Sequence, residues 1–291
     1  MKLKPKSPKP KLGLPTILLL CFLCFIAGLF TSTVLSQLSA PQLLSGPRSS
    51  SRMLESDKDG DHGPMLPGET GESFIGSIPF QVLSWKPRAV YFPGFATAEQ
   101  CESVIRAAKA KLKPSTLALR KGETVESTKG TRTSSGTFIS ASEDETGVLD
   151  IIEQKIARAT MFPRDHGEAF NILRYEIGQK YDSHYDAFNP DEYGQQQSQR
   201  FASFLLYLSD VEEGGETMFP FEVENGSNMD IRYDYKKCIG LKVKPRQGDG
   251  LLFYSVLPNG TIDQTSLHGS CPVIRGEKWV ATKWIRNQEE D

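Results

Sequence analysis

From Leu12 to Pro47 the chain carries no charged residue, and within that stretch residues 14–35 are mostly apolar, including Ile17, Leu18, Leu19, Leu20, Phe22, Leu23, Phe25 and Ile26. About 20 such residues cross a bilayer as a helix. A cleaved signal has a shorter apolar core followed by small residues. Here Ala40 would suit the last position before a cut, but Leu38, two residues earlier, does not. The expectation is an uncleaved signal-anchor helix over residues 15–36. A basic tail of residues 1–14 precedes it, with Lys2, Lys4, Lys6, Lys9 and Lys11. Lysines on that side hold the N-terminus in the cytoplasm, so everything after the helix is luminal. This makes a single-pass type II protein of the endoplasmic reticulum membrane, with the Golgi left open.

The charge balance changes past the anchor. Five lysines and no acid lie in the first 40 residues, leaving 29 of the 34 lysines and arginines against all 36 acids, a net of −7. That excludes a nucleic-acid footprint. Residues 37–78 are rich in Ser, Pro, Gly and charge and have no apolar period, so they read as a luminal stem. Residues 79–291 are the expected catalytic domain. Of the five cysteines, Cys21 and Cys24 fall inside the apolar span, and Cys101 falls on the apolar face of an expected helix. An oxidising lumen favours a disulfide, and Cys238–Cys271 is the expected pair. Asn225-Gly-Ser and Asn259-Gly-Thr are glycosylation sequons usable on the luminal side.

The order of elements suggests a fold. Residues 89–92 read as a strand. Thr97 with Gln100 forms a capping box before a helix whose apolar face is Cys101, Val104, Ile105, Ala108 and Leu112. A second helix is expected over 145–161. Strand-like runs follow at 170–177, 201–208, 217–219, 238–243, 251–256 and 278–286, separated by glycine-rich turns. Helices first and short strands afterwards point to an α+β, mainly β, chain. A jelly roll with supporting N-terminal helices is the expected architecture.

Only four histidines are present: His62, His166, His184 and His268. His62 lies in the stem, and His166 reads as a solvated turn residue. His184-Tyr185-Asp186 sets an imidazole and a carboxylate two residues apart, on one face if the segment is a strand. With His268 they would make the two-histidine, one-carboxylate triad of non-haem iron, which leaves three coordination positions open. Taken alone, a His-x-Asp pair is more often a surface feature. Lys278 adds weight, because a lysine on an inward strand face needs a carboxylate partner. Strand alternation leaves two readings of 278–286. Either Lys278, Thr282 and Trp284 face inward, or Trp279, Ala281 and Ile285 do, and the second makes Lys283 awkward.

The ordered words of this region resemble the prolyl 4-hydroxylases. They are Leu173-Arg174-Tyr175, Tyr181-Asp182-Ser183-His184, Gly214-Gly215-Glu216-Thr217, Gly248-Asp249, His268-Gly269-Ser270-Cys271-Pro272-Val273 and Lys278-Trp279-Val280. The likeness covers about residues 80–290 and is nearest to the short, membrane-anchored plant type. It implies a double-stranded β-helix core, with His184, Asp186 and His268 holding Fe(II). Lys278 would grip the far carboxylate of 2-oxoglutarate, helped by Tyr175 and Thr217. Tyr181 and Trp284 would line the entrance for the substrate proline, and a lid would lie near 191–199. A disulfide near the third ligand agrees with Cys238–Cys271. The implied reaction is hydroxylation of C4 of peptidyl proline with O2 and 2-oxoglutarate, giving succinate and CO2, with L-ascorbate as the reductant that rescues oxidised iron. The implied partners are proline-rich secreted chains such as cell-wall hydroxyproline-rich glycoproteins, with homo- or hetero-oligomers of related hydroxylases left open. A lysyl or other side-chain hydroxylase, a non-catalytic module for proline-rich chains, and a stalked lectin-like jelly roll are the competing readings.

Overall fold

The two readings of residues 278–286 turn out to be compatible, because this strand is buried on both faces. In the computed structural model, which describes residues 78–222, 234 and 236–289, Lys278–Arg286 is buried at every position except Arg286. Trp279, Ala281 and Ile285 face a core shared with two helices, while Val280 belongs to a second core on the other side. The strand before it in the sheet behaves alike. In Arg200–Tyr207, Ala202, Phe204 and Leu206 enter the helix-side core, and Leu205 and Tyr207 enter the other. Such strands read as continuous apolar runs, because neither face meets water.

The strands in chain order are β1 (Gln81–Trp85), β2 (Arg88–Phe92), β3 (Lys113–Pro114), β4 (Ser135–Ile139), β5 (Phe170–Tyr175), β6 (Tyr181–His184), β7 (Arg200–Tyr207), β8 (Glu213–Gly214), β9 (Thr217–Phe219), β10 (Leu241–Val243), β11 (Gly250–Tyr254), β12 (His268–Ser270), β13 (Val273–Arg275) and β14 (Lys278–Arg286). A large sheet runs β1-β2-β11-β7-β14-β5-β4-β3, a smaller one runs β10-β9-β12-β6, and β13 pairs with β8. Every pairing is antiparallel. The chain is therefore mainly β with few helices, consistent with the expected double-stranded β-helix.

Helix α1 (Ala98–Lys109) starts at the expected capping box. Thr97 Oγ1 accepts from Gln100 N at 3.2 Å, and Gln100 Oε1 accepts from Thr97 N at 3.0 Å. Its buried face carries Cys101, Val104 and Ala108. Helix α2 (Val148–Thr160) begins three residues later than expected. The Asp144 carboxylate accepts from Thr146 N at 3.1 Å and from Leu149 N at 2.8 Å, and Gly147 turns through a left-handed φ of 70°. Residues 145–147 are thus a turn that delivers the helix N-terminus to an anion. Leu149, Ile152, Ile156 and Ala157 of α2 are buried.

Several expected strands are shorter than anticipated. The run at 170–177 stops at Tyr175, and that at 238–243 is strand only from Leu241. His166 corrects the reading of a solvated residue. It lies half-buried in a 3-10 turn, its ring Nδ1 donating to Arg286 O at 3.0 Å. The expected anchor, the stem, His62 and Asn225 lie outside the described residues. Among the described residues no helix is long and apolar enough to cross a membrane.

Candidate metal and cosubstrate site

Strands β6 and β12 pair so that His184 stands directly opposite His268, with ring centroids 4.4 Å apart. The strand ends at His184, so Asp186 arrives from the bend that follows, not from alternation along one strand as the sequence reading supposed. Glycine at 269 permits the close approach of the two strands, since a Cβ there would lie 2.9 Å from Tyr181 O. His184 Nε2 is 3.5 Å from Asp186 Oδ1, and His268 Nε2 is 3.5 Å from Asp186 Oδ2. One ligand atom from each of the three residues falls within 4.8 Å of the others, a spacing that can hold a metal ion.

The remaining polar atoms of the triad are already engaged. His184 Nδ1 donates to Asp182 O at 2.9 Å, and His268 Nδ1 donates to Ser266 O at 3.0 Å. Each ring therefore carries a proton on Nδ1 and turns Nε2, the atom left to ligate a metal, toward the centre. Burial lowers the His268 pKa to about 4, keeping that imidazole neutral. Burial opposes ionisation of Asp186, but His268, His184 and the Arg200 guanidinium outweigh it and hold the carboxyl far below its ordinary range. Ser203, fully buried on β7, donates from Oγ to Asp186 Oδ2 at 2.6 Å. A buried anionic carboxylate and two imidazoles that turn Nε2 to the same centre are a donor set that suits a divalent iron ion.

Lys278 at the start of β14 is 1% exposed. Its Nζ donates to Ser270 Oγ at 2.8 Å and lies 5.3 Å from the Tyr175 ring centroid and 5.8 Å from that of Tyr207. Among the described residues it makes no ion pair, and only the field of Glu216 supports its charge. Burial lowers its pKa to about 7. A buried ammonium in this condition fits an acidic ligand. Thr217, 2% exposed, accepts from Tyr207 Oη at 2.8 Å. Tyr175, Thr217, Lys278, Thr282 and Trp284 line one small cavity with the triad.

Tyr181 stacks on His184 with ring centroids 3.7 Å apart and planes 20° apart. Trp284 lies beneath the Arg200 guanidinium, 3.6 Å from its ring centroid, and Glu168 grips Arg200 from the other side with two bonds of 2.7 Å. The Trp284 indole Nε1 is buried with no hydrogen-bond partner among the described residues. The residues expected at the iron, the cosubstrate and the proline, namely His184, Asp186, His268, Lys278, Tyr175, Thr217, Tyr181 and Trp284, thus line one cavity. Cys238 and Cys271 form a disulfide with Cα atoms 5.5 Å apart, and Cys101 is free and buried. Asn259 lies in an exposed turn, its Oδ1 accepting from Thr261 N and Oγ1 at 3.1 and 2.7 Å. Sequence reasoning missed Ser203, Ser270, Arg132 and Arg200. Ser270 had a signal, two residues from His268 on the same strand, and Ser203 had one as a small hydroxyl between Phe201 and Leu205 on an apolar face.

Known proteins agree with this geometry. Residues 170–286 match the 2OG-Fe(II) oxygenase superfamily. The chain is 70% identical over 294 residues to probable prolyl 4-hydroxylase 9 of Arabidopsis thaliana, covering all of both chains. It is 57% identical over 282 residues to prolyl 4-hydroxylase 13 of the same plant, covering 97% of each. Among solved structures, a viral collagen prolyl hydroxylase from Paramecium Bursaria Chlorella virus-1, in its 2OG complex, matches with a TM-score of 0.50 and 27% identity over 68% of this chain and 95% of that one. Likeness over the whole length of these relatives places the chain in the prolyl 4-hydroxylase family of 2OG-Fe(II) oxygenases.

Proposed function

We infer that the protein is a peptidyl-proline 4-hydroxylase dependent on Fe(II) and 2-oxoglutarate. The observation that carries this reading is a three-residue metal cluster sharing a cavity with a buried lysine that makes no ion pair among the described residues. His184, Asp186 and His268 would hold the iron. When bound, Fe(II) with 2-oxoglutarate and O2 supplies the oxidising power that converts a proline C–H to C–OH and 2-oxoglutarate to succinate and CO2. The residues of the chain bind and orient. Lys278, with Ser270 beside it and Tyr175 and Thr217 on the cavity wall, receives the distal carboxylate. Ser203 fixes the Asp186 carboxylate.

Tyr181 and Trp284 flank the triad on the side open to a cavity of about 750 Å³. The unpaired Trp284 Nε1 is a donor suited to an oxygen near the proline ring, because buried donors rarely go unsatisfied. Proline-rich chains favour an extended polyproline II helix, and aromatic grooves recognise such ligands. Secreted hydroxyproline-rich glycoproteins are the substrate class this suits. The uncharged run within residues 15–36 supports a membrane anchor after a cytoplasmic tail of residues 1–14, with residues 37–78 as stem. Asn259 is then open to luminal glycosylation, and L-ascorbate would be the reductant that restores Fe(II).

Incubating the protein with a poly-proline peptide, Fe(II) and 2-oxoglutarate should yield a peptide heavier by one oxygen and an equal amount of succinate. Mass spectrometry placing the new oxygen off C4, or finding none while 2-oxoglutarate is consumed, overturns the proline assignment.

A further inference from the structure

Two cavities, of about 750 and 390 Å³, meet at His184 of the triad and share Leu117, Ala118, Tyr181, His184, Tyr185 and Tyr193. Their charges differ. The larger is lined by Lys111, Lys113, Arg132 and Arg200, and its one acid is Asp186 of the triad. Arg200 is matched by Glu168. Lys111, Lys113 and Arg132 make no ion pair among the described residues. Arg132 is held by neutral oxygens, Ser134 Oγ at 3.1 Å and Thr116 O at 3.4 Å. Its guanidinium lies 4.7 Å from the Tyr181 ring centroid, one ring removed from His184. The smaller cavity is lined by Glu123, Asp182 and Glu192 with Arg120, three acids to one base, and Lys180, outside the lining, forms an ion pair with Asp182. Arg120 is shared between Glu192 at 2.7 Å and Glu123 at 3.8 Å.

We propose that this polarity selects substrate sequence, so that the preferred peptide carries acidic residues on one side of the target proline and not on the other. The proposal rests on the proline-hydroxylation reading and deepens it. An extended peptide crossing the triad has one flank among cations that lack carboxylate partners and the other among carboxylates. Acidic residues on the first flank gain three attractive neighbours, and on the second they meet like charge. Complementary charge of this kind steers binding and fixes orientation along a groove. Lys111 and Lys113 are exposed, so the preference is salt-sensitive.

The test uses proline-centred peptides of one length: neutral, with aspartates only before the prolines, or with aspartates only after them. Binding is read by fluorescence anisotropy and turnover by mass spectrometry. One aspartate placement should bind about threefold to tenfold more tightly than the neutral peptide at low salt, and the mirror placement should not. The advantage should vanish in K111E/K113E. It should persist in K86E/K242E, which changes net charge equally at exposed positions outside both cavities. Equal binding of the two aspartate peptides, or a preference that survives K111E/K113E, overturns the proposal. Charge-selective binding without hydroxylation of any peptide would count against the catalytic reading and leave the charge selection standing.

Discussion

Lys278 and Lys283 sit five residues apart on the same strand, so they point to opposite faces, and both are nearly inaccessible to water. Lys283 faces the helices and forms an ion pair with Glu153 of α2, which Arg164 also binds at 2.7 Å. Lys278 faces the smaller sheet, where among the described residues its one hydrogen bond goes to the hydroxyl of Ser270. Burial lowers the pKa of both. The contrast teaches how to separate structural charge from functional charge in one core. A buried lysine with its own carboxylate locks two layers together, whereas one with only a neutral partner is prepared for an acid that arrives from outside.

Replacing each lysine by alanine should break the protein in different ways. Lys278→Ala loses a desolvated, charge-assisted contact, so 2-oxoglutarate affinity should fall about 100-fold or more, while Tm stays level or rises. Lys283→Ala leaves Glu153 to Arg164 alone. Its cost should be about 2 kcal/mol of folding stability, less than the roughly 3–5 expected for a fully stranded partner, with cosubstrate affinity preserved. Calorimetric titration and denaturant unfolding of both variants check this. Exchange of the two phenotypes would refute the contrast.

Why some of this could be read from sequence and some could not follows from the same contrast. The triad and Lys278 were legible because imidazoles are scarce here and the words around them are ordered. The long strands β7 and β14 were legible as apolar runs, but their two-faced burial was not, since alternation forces a choice that a central strand does not make. Strands β6 and β12 have four and three residues, too few for a period to register, yet they set the triad. The start of α2 was misplaced because Asp144, which accepts from Leu149 N in its first turn, stands outside the apolar pattern. Arg132 and Arg200 have the look of surface charge until Tyr181 and Trp284 are seen beneath them.

The pH response sharpens the contrast further. A lysine whose folded pKa is about 7, against an ordinary 10.5, has lost its proton in the free protein over much of that window. Binding a dicarboxylate restores the ammonium and takes up a proton. Apparent 2-oxoglutarate affinity should therefore be greatest below about pH 7 and fall as pH rises, by at most about tenfold per unit. Titrations in buffers of different ionisation enthalpy should register that proton uptake. Lys278→Ala should abolish it, and an unchanged pH slope in that variant would place the titrating group elsewhere.

The smallest expected effect concerns Ser203, which lies on the same inward side of the large sheet as Lys278 and is equally enclosed. Its hydroxyl occupies one oxygen of Asp186 at 2.6 Å. A carboxylate bound to metal through both oxygens would use a coordination position that a bidentate cosubstrate and O2 require. By holding Oδ2, Ser203 favours attachment through one oxygen and keeps the side chain in place before metal arrives. Ser203→Ala removes one hydrogen bond to a charged group and one small group from the core. Metal affinity, read with Co(II) or Fe(II) by calorimetry in the absence of cosubstrate, should fall about fivefold, equivalent to roughly 1 kcal/mol. A change in Tm alone, with metal affinity intact, would reduce Ser203 to a packing residue.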